Sequence, residues 1–380
     1  MKLIHISDLH IGKKIHGFSM FEDQKYILDR FLEIVQTERP DAILIAGDVY
    51  DTPTPSAEAV SLFDDFIVRL ASYHIPTFII SGNHDSAERL SFGSRLIDIS
   101  GIHFSPTYSG QVEPTILTDE HGDVAIYMLP FVRPATVRAL FPEATVGSFT
   151  DAMAVSVENM HIDTSVRNVL VAHAFVTGAS ASGSEESYVG TAENVDACVF
   201  ADFDYVALGH IHRPQNIGEH IRYSGSILKY SFSEVNHDKS VTIVNMGAKG
   251  DISIDTLPLV PLHDMHHIKG SYNDLTFKDF YAGTSYPTDY MYITLTDEDD
   301  IIGVRNLLGY FYTNIMKIDY DNTRTRNTMT IEVSDDIDRK SPLELFCDFY
   351  KLQNGQSMTQ EQEKYMKQLI DRLVNKEDEA

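Results

Sequence analysis

The sequence has only two cysteines, Cys198 and Cys347, and no tryptophan among its 380 residues. Two cysteines give no disulfide framework. No apolar run approaches the roughly 20 residues that a membrane span requires. The chain opens with an apolar strand-like run, Leu3 to Ile6, which leaves no room for a signal peptide. We therefore expect a soluble cytoplasmic protein with no membrane partner.

Basic residues are also scarce. The chain has 30 Lys and Arg against 56 Asp and Glu, which gives a formal net charge of −26. Such a chain repels a polyanion overall, because nucleic-acid binding normally uses clustered Lys and Arg. This charge is the strongest argument against a DNA substrate.

What the sequence does contain is a series of five short polar motifs, each directly after an apolar run. In order they are Asp8-Leu9-His10, Gly47-Asp48-Val49-Tyr50-Asp51, Gly82-Asn83-His84-Asp85, His173 and Gly209-His210-Ile211-His212. The preceding runs are short, rich in Ile, Val and Leu, and end at turn residues, which is typical of strands buried on both faces.

Helical spacing fills the gaps between the first three runs. One helix is predicted from about Phe21 to Gln36, and a second follows Thr54-Pro55, where Thr54 is the expected cap. Alternating strands and helices predict an α/β fold with parallel strands and right-handed crossovers. Sites in such sheets lie beyond the carboxyl ends of the strands, where all five motifs fall.

The motifs supply carboxylate, imidazole and amide groups, and no cysteine, so a thiolate zinc site is excluded. This donor set predicts two divalent metal ions and the hydrolysis of phosphate esters. Asp48 is the expected bridge, because a carboxylate has two oxygens. We assign the remaining ligands as Asp8, His10 and His212 on one ion, and Asn83, His173 and His210 on the other.

His84 directly follows Asn83, and neighbours in an extended chain diverge, so we expect His84 to protonate the leaving oxygen or to stabilise transition-state charge. Asp85 is expected to orient His84 or a ligand. Asp51 is either a further supporting group or a helix-start acid. A single strand-end histidine is more often structural, and the prediction depends on the ordered set. The cluster His263, His266 and His267 is interpreted as a solvated linker rather than a third metal site.

The five motifs resemble the calcineurin-like metallophosphoesterases. The runs Gly209-His210-Ile211-His212-Arg213-Pro214-Gln215 and Tyr223 to Phe232 resemble the SbcD family of bacterial nuclease subunits. The resemblance covers nearly the whole chain, and His84 matches the family's catalytic histidine. It implies a calcineurin-like β-sandwich flanked by helices, two metal ions (commonly Mn²⁺, with Mg²⁺ or Fe²⁺ as alternatives), cleavage of DNA ends and hairpins, and a partner, the SbcC-type ATPase. We also expect a homodimer.

A DNA substrate is compatible with the acidic chain if two metal ions reverse the local charge and a partner supplies much of the grip. The candidate DNA contacts beside the motifs are Lys13, Lys14, Arg89 and Arg213. Each, taken singly, is more often a surface charge.

We expect three parts: a nuclease domain over residues 1–259, a small α+β capping domain over 260–338, and a helical tail over 339–380. The second part is predicted as a linker from Leu262 to Thr288, a strand, a helix from Asp299 to Tyr312, and strands at Ile315–Tyr320 and Thr328–Val333. Arg324 and Arg326 are expected in a turn. A flexible loop is predicted from Thr177 to Ser187.

The tail contains two helix starts, Ser341-Pro342-Leu343-Glu344 and the capping box Thr359 to Gln362. The resemblance places the ATPase-binding helices here. The candidate partner-binding residues are Leu345, Phe349, Leu352, Met366, Leu369, Ile370 and Leu373. The rival functions are a small-molecule phosphodiesterase or nucleotidase of the same superfamily, and a scaffold that has lost activity.

Overall fold

In the computed structural model, residues 1–183, 194–328, 342–354 and 357–377 are described. The chain divides into two compact units, Met1–Asp264 and Met265–Ala380. The three-part division at residues 259 and 338 stays a prediction. Among the described residues, no helix has both the length and the apolarity needed to cross a bilayer.

The first unit contains two six-stranded mixed sheets. The first sheet runs, in spatial order, β16 (Ile252–Pro258), β15 (Ser240–Met246), β1 (Lys2–Ile6), β4 (Ala42–Ala46), β5 (Thr77–Ile80) and β6 (Ile102–Phe104). The second runs β13 (Gln215–Ile217), β14 (Ile221–Tyr223), β12 (Tyr205–Gly209), β9 (Arg167–His173), β8 (Gly122–Met128) and β7 (Thr115–Asp119). Two short pairs complete the set: β2 (Lys14–Ile15) with β3 (Phe18–Ser19), and β10 (Phe175–Val176) with β11 (Asn194–Val195).

The two sheets share one apolar core. Leu44 and Phe78 from the first sheet and Val169 and Ala207 from the second lie in the same cluster, and all are fully buried. The predicted α/β strands are confirmed, and they form a two-sheet sandwich. Because β15 is antiparallel to β1, the sheets are mixed rather than wholly parallel.

Two helices cross between parallel strands of the first sheet: α1 (Phe21–Glu38) and α2 (Ala57–Ala71). They touch through Phe31 and Phe66, whose ring centroids are 5.9 Å apart. The expected cap, Thr54, is wrong. Ser56 caps α2 by accepting from the Ala59 amide at 3.2 Å, because the helix begins two residues later than Pro55. Shorter helices follow: α3 (Ala87–Leu90), α4 (Ser94–Ile97), α5 (Pro134–Leu140) and α6 (Phe149–Glu158).

The second unit contains a parallel three-stranded sheet, β17 (Met265–Gly270), β18 (Tyr290–Leu295) and β19 (Asn314–Tyr320). Its helices are α7 (Tyr272–Thr276), α8 (Lys278–Tyr281), α9 (Val304–Leu308), α10 (Thr323–Thr328), α11 (Pro342–Asn354) and α12 (Gln360–Glu377). The predicted linker over Leu262–Thr288 is therefore wrong. It contains β17, in which Met265 and Ile268 are buried. The polar residues beside them obscure the apolar pattern by which a strand is recognised in the sequence.

Three further predictions in this unit are corrected. The helix predicted from Asp299 to Tyr312 is limited to α9. Gly303, directly before α9, has a left-handed φ of 69°, so the helix cannot extend toward Asp299 through it. Arg324 and Arg326 lie in α10 rather than in a turn, and they pair with Asp300 and Asp321. Thr328 ends α10, and the rest of the strand predicted to Val333 lies outside the described residues.

The tail forms the two predicted helices. The Thr359 hydroxyl accepts from the Gln362 amide at 3.3 Å, and the Gln362 side chain accepts from the Thr359 amide at 2.8 Å, which completes the capping box. Phe349 is 57% exposed and Leu369 38%. Leu345, Met366 and Ile370 are half-buried. The side chains of Leu352 and Leu373 lie outside the described set, as do residues 184–187 of the predicted loop.

Candidate metal centre

The five motifs meet at one edge of the sandwich. Asp8 follows β1, Asp48 follows β4, and Asn83 follows β5, all in the first sheet. His173 is the last residue of β9, and His210 follows β12 in the second sheet. Since β9 and β12 are parallel neighbours with Gly209 opposite His173, the two imidazoles emerge side by side. The fold thus brings together all seven predicted ligands.

The backbone is strained where these residues lie. Asp8, His10, Asp48 and His210 have φ angles of 54°, 44°, 49° and 99°, in a region that side chains other than glycine rarely adopt. Such conformations persist only where the surrounding structure enforces them. Their concentration among candidate ligands indicates that the fold aims these side chains at a common point.

One group of donors consists of Asp8, His10 and His212, whose ligand atoms lie within 4.8 Å of one another. All three side chains are buried. The Nδ1 atom of His212 donates to Glu234, so the lone pair of His212 is on Nε2, which faces His10 Nε2 at 3.0 Å. His10 Nδ1 is buried, has no hydrogen-bond partner within the described part of the chain, and lies 3.6 Å from the Asp51 carboxylate.

The second group contains Asn83, His173 and His210. The Asn83 side-chain oxygen is 3.0 Å from both His173 Nε2 and His210 Nδ1. His173 donates through Nδ1 to the Ala46 carbonyl at 2.9 Å, so its Nε2 is the ring atom that faces Asn83 and Asp48. Electron-rich atoms facing one another in a buried site need a cation between them, and the residues therefore fit divalent metal ions.

Asp48 stands between the two groups. Its Oδ2 is 3.4 Å from His173 Nε2 and 3.7 Å from His10 Nε2, which is the position expected of a bridging carboxylate. Asp8 also lies within 4.8 Å of Asp48 and His173, so it borders both groups rather than one. Burial lowers the pKa of His173, but the Asp48 charge outweighs it and raises that pKa to about 9, so a proton takes the place of the cation in the metal-free chain.

His84 differs from the ligands. Its main-chain amide donates to Asp48 Oδ1 at 2.9 Å, and its ring Nδ1 is 3.0 Å from the Asp51 carbonyl oxygen. Its ring lies edge-on to His10, with centroids 4.9 Å apart. His84 also forms a candidate ligand group with His10 and Asp48. The His84 side chain is half-buried, whereas those of His10 and Asp48 are fully buried.

Asp51 and Asp85, the last residues of the second and third motifs, both support the loops that carry the candidate ligands. The Asp85 carboxylate accepts from the main-chain amides of Val49, Tyr50 and Gly82 at 2.9–3.0 Å, so it ties two ligand loops together rather than orienting His84. Burial and the nearby Asp48 charge raise the pKa of Asp85 to about 6. It is the Asp51 main chain that holds His84, while the Asp51 carboxylate pairs with Lys13 at 2.6 Å.

Glycine is required where the loops approach one another. A Cβ at Gly82 would lie 2.1 Å from Asp48 Oδ1, and one at Gly209 would lie 1.9 Å from the Ala46 carbonyl oxygen. Neither position has room for a side chain. The glycines in the motifs therefore permit the packing that brings the ligands together.

Several supporting residues were missed by the sequence-based prediction. The Gln24 side chain on α1 donates to the His10 carbonyl at 2.7 Å and accepts from the Gly12 amide at 3.0 Å, which holds the first ligand loop. In the sequence, Gln24 could have been recognised as a polar residue on the apolar face of the predicted helix. Glu234 and Lys239 form a buried pair behind His212. Glu234 was missed because it lies just after the run Tyr223–Phe232, and that run was used only to recognise the resemblance to the SbcD family.

The four predicted DNA contacts differ in how exposed they are and in whether another group already holds them. Lys14 and Arg213 are exposed. Lys13 is half-buried against Asp51, and Arg89 donates to the Pro53 carbonyl at 2.9 Å and to the Thr54 hydroxyl at 2.7 Å. An apolar recess lined by Phe131, Phe149 and Phe175 borders the two imidazoles of His173 and His210.

Comparison with known proteins gives consistent matches. The model of the calcineurin-like phosphoesterase family matches residues 1–214, and that of the type 5 capsule protein repressor C-terminal domain matches residues 261–354. A relative from Staphylococcus epidermidis, named as the D subunit of the nuclease SbcCD, is 33% identical over 385 residues, covering 99% of this chain and all of the relative.

Solved structures are also similar, at low identity. One, from Thermus thermophilus, is 12% identical with a TM-score of 0.38, covering 68% of this chain and 99% of that one. A dimetal phosphatase from Danio rerio is 11% identical with a TM-score of 0.41, covering 68% of this chain and 96% of that one.

Proposed function

This chain belongs to the SbcD nuclease-subunit family of the calcineurin-like phosphoesterases, and from that membership we propose that it is a metal-dependent DNA nuclease. The proposed activities are exonuclease action on double strands and endonuclease action on hairpins and single strands, in DNA end processing, repair and recombination. The observation that carries the proposal is the set of side-chain nitrogen and oxygen atoms that lie close together around Asp48 at the end of the two sheets.

The seven converging side chains would hold two divalent ions, with Asp48 between them. The proposed ion is Mn²⁺, because mixed imidazole and carboxylate donors suit it, and Mg²⁺ or Fe²⁺ are the alternatives. Two such ions, when bound, polarise the phosphodiester and lower the pKa of a water molecule. His84 donates Nδ1–H to the Asp51 carbonyl, which leaves Nε2 as the atom that can carry a proton to the leaving oxygen.

DNA binding by the isolated chain is expected to be weak and strongly salt-dependent. The formal charge of −26 opposes a polyanion, while exposed Lys14 and Arg213 come shortly after His10 and His212 in the chain. We propose that an SbcC-type ATPase supplies much of the grip on DNA, in the cytoplasm. The proposed division of labour is catalysis by residues 1–259, substrate selection by 260–338 and partner binding by 339–380.

We also propose that the chain forms a homodimer. Exposed apolar side chains of the first unit that are available to such an interface include Val60 (45%), Val68 (62%), Phe92 (85%) and Ile99 (87%).

The test is Mn²⁺-dependent cleavage of end-labelled linear duplex and hairpin DNA, beside a chromogenic bis-phosphodiester, with and without the ATPase and ATP. We expect DNA cleavage that increases with partner and ATP and disappears in Asp48→Ala. Turnover of the small diester alone, indifferent to the partner, would favour the small-molecule phosphodiesterase. A purified chain without metal binding or turnover would favour the inactive scaffold.

A further inference from the structure

We propose that Glu234 and Lys239 are a buried positioning pair that sets the tautomer and the orientation of His212, and so controls the affinity of one of the two metal positions. This inference rests on the metal site of the proposed function. Neither residue belongs to the five motifs, and neither is among the seven candidate ligands.

Glu234 holds the His212 ring. It ends a short 3-10 helix, Phe232–Glu234, and is fully buried. Its Oε1 lies 3.1 Å from His212 Nδ1. A carboxylate oxygen only accepts, so His212 Nδ1 carries the hydrogen, and in the neutral ring Nε2 carries the lone pair. That lone pair points toward His10 Nε2, 3.0 Å away, which is where the ligand atoms of the first group meet.

Lys239 holds Glu234 and the His212 main chain at the same time. Its ammonium nitrogen is 2.5 Å from Glu234 Oε2 and 2.7 Å from both the His212 carbonyl oxygen and the Ser226 hydroxyl. A buried carboxylate without a cation would be costly, so Lys239 makes the ionised Glu234 tolerable. The pair therefore fixes His212 through its ring and through its backbone.

The topology explains how residues so late in the chain reach the site. Lys239 directly precedes β15, which runs antiparallel to β1, so the start of β15 lies beside the end of β1 that leads to Asp8. The loop between β14 and β15 carries Glu234 to the same edge. A hydrogen-bonded carboxylate behind a ligand histidine is a known means of strengthening metal binding.

A purely structural role is the competing explanation, because a buried ion pair also affects folding. Asp119 and Arg167 provide a matched control. They form a largely buried ion pair at the opposite end of β9 from His173, with Arg167 2% exposed. Breaking either pair is expected to lower thermal stability, but only Glu234 variants should change metal binding.

The experiment is a calorimetric Mn²⁺ titration of the full chain without DNA, for wild type, Glu234→Ala, Glu234→Gln, Lys239→Met and the control Asp119→Asn. We expect Glu234→Ala to weaken one of the two Mn²⁺ sites by about 10- to 100-fold and to leave the other nearly unchanged. Asp119→Asn should keep both affinities. If Glu234→Ala does not fold, the isosteric Glu234→Gln, which keeps an acceptor but loses the charge, should weaken the same site by a smaller factor.

A second measurement needs no metal. In ¹⁵N-histidine-labelled, metal-free protein, with His212 assigned by its loss in His212→Gln, we expect wild type to show a protonated Nδ1 and Glu234→Ala to show mixed tautomers. Unchanged tautomer signals and unchanged Mn²⁺ affinities in the Glu234 variants would overturn the inference and leave the nuclease proposal intact. Equal affinity losses in Asp119→Asn would also overturn it. Absence of Mn²⁺ binding by wild type would instead overturn the proposed function and the inference together.

Discussion

The Asp51 carbonyl oxygen accepts a hydrogen bond from the His84 ring at 3.0 Å, while the His84 main chain donates to Asp48 at 2.9 Å. His84 is thus held through both its main chain and its ring, and the ring lies beside the candidate ligand His10. This geometry supports the proposed role of His84 as a proton donor beside the candidate metal site.

His84→Gln is therefore expected to keep the fold and the bound metal but to lower kcat for a bis-phosphodiester by about 10²- to 10⁴-fold, because a proton donor is removed. Steady-state kinetics and metal analysis on the same preparation measure both properties. His121→Gln, at an exposed turn, is the control and should behave as wild type. Full activity of His84→Gln would refute the assigned role, and loss of one metal would make His84 a ligand.

Asp48→Asn is expected to remove activity and to reduce the bound Mn²⁺ from two ions to one or none. An amide has one oxygen and no charge, so it cannot bridge two cations. Elemental analysis after dialysis measures the loss, and Asp64→Asn, exposed on α2, is the control. Two tightly bound ions in Asp48→Asn would contradict the bridging role.

Gly82→Ala tests the close packing of the loops. The new methyl group would lie 2.1 Å from Asp48 Oδ1 and 2.5 Å from the Asp48 amide, so the carboxylate must move. We expect loss of metal binding and activity, although no chemical group is removed. At Gly147 a methyl group would meet its nearest neighbour at 3.5 Å, and Gly147→Ala should leave both unchanged. Normal metal binding in Gly82→Ala would show that the loop can relax.

Asp119→Asn should destabilise the first unit in a pH-dependent way. The Arg167 guanidinium, bonded to both oxygens, holds the pKa of Asp119 well below its ordinary value of 3.8. A lowered folded-state pKa contributes stability that is present above pH 3.8 and is lost as the pH falls. We expect a clear loss of stability at pH 7, because the buried Arg167 guanidinium loses its charged partner. Denaturant unfolding of both proteins should show the difference shrinking below about pH 4, and a difference independent of pH would contradict this origin.

Deleting residues 341–380 is expected to spare hydrolysis of a small phosphodiester and to abolish co-purification with the ATPase. Phe349 and Leu369 remain 57% and 38% exposed in the free chain, so apolar surface is available to a partner. Because α11 contacts α10, a shorter deletion from residue 357 serves if the first variant does not fold. Unchanged co-purification of both deletions would refute the partner-binding prediction.

The success of each sequence-based prediction followed the physical strength of its signal. The strands before Asp8, Asp48 and Asn83 are continuous apolar runs, which have few alternatives to a buried strand, and they were predicted correctly. The strand Met265–Gly270 carries two histidines and a lysine between its buried residues, so its pattern indicated a polar linker. Its burial comes from apolar residues of α7, β18 and α9 that pack on it, and those of β18 and α9 are distant in the sequence.

By itself, the sequence determined which residue types stand at the ends of five strands, because apolar runs and strand-end chemistry are local properties. Only the tertiary structure decided that Asp85 ties two loops through three amides, that Asp51 holds His84 by its carbonyl, and that Glu234 and Lys239 stand behind His212. These contacts join residues up to 36 positions apart through backbone atoms or buried charges. Nearly every residue type has a main-chain amide, so hydrogen bonds from amides cannot be read from the sequence. A buried charged residue can be recognised only when the structure shows the partner that neutralises it.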